Sequence, residues 1–126
     1  MAATSVSVGV DIIEIERIKQ VLQRHGQRFL RRVYTEAEIA YCRGRVPELA
    51  ARFAAKEAVS KALGTGIVSQ GGIFWRDVEV LPDARGKPLV YLHGRAKDRA
   101  ESLGLKEFAI SLSHSQEYAL AFVVTM

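Results

Sequence analysis

Two hydrophobic periods alternate along this chain. From Ser5 to Asp11, small polar and β-branched residues alternate, a period of two that predicts a strand. From Ile12 to Arg24 the period changes. Ile15, Ile18, Val21 and Leu22 recur at spacings of three and four, the apolar stripe of a helix, and Gly26 stands where that helix would end. A short second helix fits Phe29 to Val33. Thr35-Glu36-Ala37-Glu38 carries the capping-box pattern, a hydroxyl followed three residues later by a carboxylate, and starts a helix through Tyr41. Pro47 suits the first turn of a longer helix that runs through an alanine-rich stretch to Leu63. Gly64 to Gly72 reads as loop.

The period of two then returns. Arg76 to Leu81 and Leu89 to Leu92 form a hairpin around the turn residues Pro82-Asp83-Ala84-Arg85-Gly86. Gly94 to Leu103 is helical and stops at Gly104. Phe108, Ile110 and Leu112 share one face of a strand. Tyr118, Leu120, Phe122 and Val124 share a face of the next, and Ser113-His114-Ser115-Gln116-Glu117 joins the two as a hairpin loop. A strand and several helices followed by mostly antiparallel strands predict an α+β fold, with one domain over residues 1–126.

Composition adds the setting. Hydrophobic residues make up 48% of the 126, enough to bury a core without disulfides. Cys42 is the sole cysteine, so no intrachain disulfide forms and a reducing, cytoplasmic location is expected. Cys42 itself reads as a small, partly buried side chain near a helix end. The opening Met-Ala-Ala-Thr-Ser lacks the features of a secretory leader, and no apolar run approaches the ~20 residues of a membrane span. The net charge of +4 is uneven. Arg17 to Arg32 holds Arg17, Lys19, Arg24, Arg28, Arg31 and Arg32 and no acid. Such a stretch is either a solvated helix face or a surface for an anionic partner: nucleic acid, an anionic membrane or an acidic protein. A non-enzymatic nucleic-acid-binding module fits the charge, but Phe29 is the window's one aromatic, and readers that stack bases need exposed rings.

Chemistry concentrates on the long helix. Phe53, Glu57 and Lys61 are spaced by four and share a face. Glu57 stands among Ala54, Ala55, Ala58, Val59 and Ala62, small neighbours that suggest close packing. Glu57 and Lys61 could also be a surface ion pair worth only ~0.3–0.5 kcal/mol. Asp11 ends an apolar strand, where it reaches the sheet rim or caps the following helix. Two carboxylates from distant segments with a lysine suit Mg²⁺ and a phosphate substrate. His25, His93, His114 and Cys42 lack zinc-site spacing. Gly64-Thr65-Gly66 follows its helix, at the negative end of the dipole, so a phosphate there would need Lys61, a metal ion or an arginine from elsewhere. The alternative is a plain helix cap. Ser113-His114 is a poor nucleophile–base pair, because adjacent strand residues point to opposite faces. His114 is then a loop residue or a ligand contact. Arg85-Gly86-Lys87-Pro88 is a hairpin turn with exposed charges, at most a phosphate contact.

In order and spacing, these segments resemble the bacterial holo-[acyl-carrier-protein] synthases, the small type of 4'-phosphopantetheinyl transferase. The match is carried by Gly9-Val10-Asp11-Ile12, Phe29 through Glu38, Arg52 through Gly66, Gly86-Lys87-Pro88 and Ser111-Leu112-Ser113-His114-Ser115. The resemblance implies that family's fold and transfer of phosphopantetheine from coenzyme A to a serine of apo-acyl carrier protein. It also implies that Asp11 and Glu57 ligate Mg²⁺ and that Lys61 contacts the pyrophosphate. Arg52, Ser60, Gly64, Thr65, Gly66, Lys87 and His114 would line the coenzyme A site. Arg17, with Arg24 and Arg28, would dock the acidic carrier protein. The family is typically trimeric, with its sites between subunits. The base that takes the serine proton is left open between a metal-bound water and an unliganded Asp11 oxygen.

Overall fold

A computed structural model describes residues 5–68 and 70–126. Residues 1–4, read above for the lack of a leader, and Ser69 of the glycine-rich loop lie outside the described residues. The chain runs β1 (Ser7–Glu14), α1 (Ile15–His25), α2 (Gln27–Val33), α3 (Glu36–Cys42), α4 (Val46–Ala62), β2 (Val78–Pro82), β3 (Pro88–Leu92), α5 (Gly94–Leu103), β4 (Phe108–His114) and β5 (Tyr118–Thr125). Two antiparallel sheets form, one in the order β1-β5-β4 and the other β2-β3. This is the expected α+β arrangement.

Helix α4 packs on the inner face of the larger sheet. Ala50, Ala51, Ala54, Ala55, Ala58 and Ala62 are all buried. The sheet answers with equally small residues: Gly9 on β1, and Ala119 and Ala121 on β5. A Cβ on Gly9 would lie 1.8 Å from the Ala58 carbonyl oxygen, so strand and helix meet backbone to backbone. That spacing inverts the expected burial of both strands. Tyr118, Leu120 and Phe122 do share a face, as do Val8, Val10 and Ile12, but these large side chains point away from α4 and are 36–58% exposed. Beside Gly9, helix and sheet leave room only for small ones.

Several boundaries shift for identifiable reasons. β1 continues to Glu14 where the helical stripe suggested a start at Ile12, because its ladder with β5 persists from Ser7↔Thr125 to Glu14↔Tyr118. His114 belongs to β4, paired with Ala119, so the hairpin loop shrinks to residues 115–117. β2 begins at Val78, after a short 3₁₀ turn over Trp75–Asp77 in which Asp77 Oδ2 accepts the Phe74 amide at 3.0 Å. The Thr35 capping box is present, with Thr35 Oγ1 accepting from the Glu38 amide at 3.2 Å and Glu38 Oε1 from the Thr35 amide at 2.9 Å. Cys42 is fully buried, and burial pushes its thiol up to about 11.

Glu38 does more than cap. Its side chain and that of Lys56 are both fully buried, and Lys56 Nζ reaches Glu38 Oε1 at 2.7 Å. Lys56 also donates to the carbonyls of Trp75, at 3.2 Å, and Val78. Glu38 Oε2 accepts the Val80 amide at 2.9 Å. One ion pair thus ties α3, α4 and the start of β2 together. Burial lowers the Lys56 pKa, against the pull of Glu38. Lys56→Met would leave the Glu38 carboxylate buried without its cation, and should cost about 3–5 kcal/mol in chemical denaturation. A loss below ~1 kcal/mol would show that the pair does not hold these elements.

Candidate active site

Strand β1 carries Asp11 on the face turned toward α4, two residues beyond Gly9. On the last turn of α4, Lys61 donates to Asp11 Oδ1 at 3.0 Å and to the Val10 carbonyl at 3.0 Å. The ion pair here is therefore Lys61–Asp11, in place of the Glu57–Lys61 pair that helical spacing alone allowed. The Lys61 side chain is 53% exposed, so the pair is worth only ~0–1 kcal/mol and yields readily to a competing ion. Glu57, one turn back on α4, is half-buried. Burial pushes its carboxyl up, the Asp11 charge pushes it further, and Lys61 opposes both. Phe53 completes the face but packs between Phe29 and Trp75, with ring centroids at 6.4 and 4.6 Å.

Two carboxylates thus share one exposed ammonium, and the excess negative charge favours a cation. No cluster of three or more His, Cys, Asp or Glu suited to a metal occurs among the described residues. A donor set of two hard oxygens fits Mg²⁺, which takes one or two carboxylates and completes its shell with water and phosphate oxygens.

The end of α4 is capped on all sides. The Ser60 carbonyl accepts the Thr65 amide at 3.0 Å, and the Lys61 carbonyl accepts the Gly64 amide at 3.1 Å. The Ala62 carbonyl takes the Ser7 hydroxyl at 2.6 Å, and the Leu63 carbonyl takes Arg99 Nε at 3.0 Å. The four carbonyls that would face a ligand with partial negative charge each have a donor. Gly64, at φ +70°, makes the turn, and the Gly66 carbonyl is fastened by the Ile73 amide at 3.0 Å.

The remaining expected residues are dispersed. Arg52 is buried, with Nε on the Val80 carbonyl at 3.0 Å, Nη1 on Glu48 at 2.8 Å and its guanidinium over the Tyr41 ring. The Ser60 hydroxyl turns back to the Glu57 carbonyl at 2.7 Å. Within one chain, both groups serve the fold. Lys87 is exposed on the β2–β3 turn, and His114 is exposed at the end of β4, two strands from β1 and so about 10 Å away. Among the described residues no hydrogen bond joins either to Asp11, Glu57 or Lys61. Arg17 and Arg24 line a shallow cavity of about 130 Å³, and Arg28 lines one of about 240 Å³ with Phe29 and Arg32. His25 borders both, so the basic strip is continuous. Sequence reasoning missed Ser7 and Arg99 at the helix end. An arginine from elsewhere was one of three cations the sequence allowed for this loop, with Lys61 and a metal ion, but nothing near Gly64 in the sequence points to Arg99.

Gly9→Ala tests the positioning. The added methyl meets a backbone carbonyl that cannot swing away, so the cost should reach or exceed the upper end of the ~1–3 kcal/mol typical of overpacking. A variant with wild-type thermal stability would show that β1 does not sit this close.

Comparison with known proteins identifies the family. Residues 7–123 match the family model described as the 4'-phosphopantetheinyl transferase superfamily. A holo-[acyl-carrier-protein] synthase of Herpetosiphon aurantiacus is 54% identical over 122 residues, covering 94% of this chain and 96% of that protein. One from Koribacter versatilis is 48% identical over 119 residues, covering 92% and 94%. The crystal structure of the Helicobacter pylori holo-[acyl-carrier-protein] synthase in complex with coenzyme A superposes with a TM-score of 0.85 at 30% identity, covering 94% of this chain and 99% of that one.

Proposed function

The chain belongs to the 4'-phosphopantetheinyl transferase superfamily as a holo-[acyl-carrier-protein] synthase, and we propose that Asp11, Glu57 and Lys61 form its reaction centre. The enzyme transfers the 4'-phosphopantetheine group from coenzyme A to a serine of apo-acyl carrier protein and releases adenosine 3',5'-bisphosphate, a step that equips carrier proteins for fatty acid biosynthesis. The observation that carries the assignment of the centre is the convergence of Asp11 and Lys61, 50 positions apart in sequence, at 3.0 Å beside Glu57.

Phosphoryl transfer of this kind is mostly positioning and charge stabilisation. The serine oxygen forms a bond to the phosphorus that carries pantetheine, as the bond from that phosphorus to the bridging oxygen of the diphosphate breaks. Asp11 and Glu57 hold Mg²⁺, which when bound neutralises charge on the diphosphate oxygens. Lys61, held loosely by Asp11, turns to the diphosphate and stabilises the leaving phosphate. Asp11 Oδ2, which no donor holds among the described residues, stands ready to accept the serine proton. The basic strip along α1 and α2, with Arg17, Arg24 and Arg28, steers the acidic carrier protein to the site, acting on encounter rate and selectivity more than on affinity. No helix of the described residues is long and apolar enough to cross a membrane.

The outward face of the larger sheet supports a homotrimer. Val10 lies opposite Phe122, and Ile12 opposite Leu120, in one exposed apolar surface continuous across β1 and β5. Contiguous surfaces of this kind mark association sites.

Three experiments test these assignments. Incubating the protein with apo-carrier protein, coenzyme A and Mg²⁺ should add one phosphopantetheine to the carrier by intact mass, and EDTA should prevent it. Asp11→Asn or Glu57→Gln should slow transfer by about a hundredfold or more while the fold is retained; unchanged rates would remove these residues from the metal site. Phe122→Arg should convert the assembly to monomer by sedimentation and lower transfer with it. A trimer that survives this change would place the interface elsewhere.

A further inference from the structure

Arg99 stands out among the charged groups near the centre. It projects from α5 to the end of α4 and is exposed. Its Nε donates to the Leu63 carbonyl at 3.0 Å, which uses one of the five N–H donors of a guanidinium. Its Nη2 lies 3.6 Å from where a Cβ on Gly64 would stand, so this end of the guanidinium sits beside the first residue of the Gly64-Thr65-Gly66 loop. No carboxylate lies within ion-pair distance of Arg99 among the described residues. On α4, Arg52 is paired with Glu48 and Lys56 with Glu38, while the exposed Lys61 is held only loosely by Asp11.

We propose that Arg99 is a substrate-binding residue, which anchors its guanidinium on the Leu63 carbonyl and presents the remaining N–H groups to a phosphate oxygen of coenzyme A lying along the Gly64–Gly66 loop. The proposal rests on the transferase reading above. The anchor fixes the plane of the guanidinium before substrate arrives, and a planar fork suits two phosphate oxygens better than an ammonium does. Lys61 from the β1 side and Arg99 from the α5 side then bracket an anion at a helix end whose own dipole would repel it.

The test is calorimetric titration of coenzyme A into the full-length protein and into Arg99→Gln and Arg99→Lys. Arg99→Gln should weaken coenzyme A binding about tenfold, the loss expected for one charge-assisted hydrogen bond, and raise the KM for coenzyme A but not for the carrier protein. Arg99→Lys keeps the charge without the fork, and should recover part of the affinity. Repeating the titration with 3'-dephospho-coenzyme A separates the two phosphate sources. An Arg99→Gln penalty that vanishes with this ligand assigns Arg99 to the 3'-phosphate, and one that persists assigns it to the diphosphate. Wild-type affinity in both variants would overturn the proposal, and so would a loss that merely follows a fall in melting temperature. Absence of transfer by the wild-type protein would instead overturn the reading of the centre.

Discussion

The contact on which this structure depends is backbone against backbone. β1 lies on α4 with no side chain between Gly9 and the Ala58 carbonyl. The alanines of α4 follow from it, as do Ala119 and Ala121 on the facing strand and the outward turn of Val8, Val10 and Ile12 on β1 and of Tyr118, Leu120 and Phe122 on β5. So does the chemistry. An aspartate two residues beyond the contact and a lysine one turn past it come within a hydrogen bond of each other because the elements that carry them cannot drift apart. A bulkier interface would still pack a core, but it would separate Asp11 from Lys61 by the thickness of a side chain.

Around this contact the protein uses charge in two ways. Lys56 and Glu38 are fully buried and multiply hydrogen-bonded, and they fix how α3, α4 and β2 meet. Lys61, five residues further along the same helix, and its partner Asp11 on β1 are partly in water and bonded to each other weakly enough to be exchanged for metal and phosphate. The same ion-pair chemistry is structural where desolvation makes separation costly and adjustable where solvent screens it. Glu57 lies between these regimes, half-buried and held up by burial and by Asp11.

Much of this was legible in the sequence, and the parts that were not share a cause. Helices stood out where local signals set them: the Thr35–Glu38 box, Pro47 and the alanine run, Gly26 and Gly104. Asp11 and Glu57 stood out because carboxylates flanked by small or apolar residues are unusual. The errors arose where partners distant in sequence decide. Ile12 and Ile13 carry a helical stripe but are held in β1 by β5, and Tyr118, Leu120 and Phe122 form an apolar row whose direction depends on how close α4 comes. Lys56 carried no distinguishing signal in the sequence, although it shares a spacing of four with Arg52 and Ser60, both also buried. Arg99 was invisible because a cap can be supplied from anywhere in the chain.

The outward row of valines, isoleucine and aromatics has a consequence for how the protein behaves on dilution. A chain that turns alanine inward and phenylalanine outward realises only part of its hydrophobic stabilisation by folding alone. Where copies of the chain cover that face, folding and association become one equilibrium, and the melting temperature rises with protein concentration.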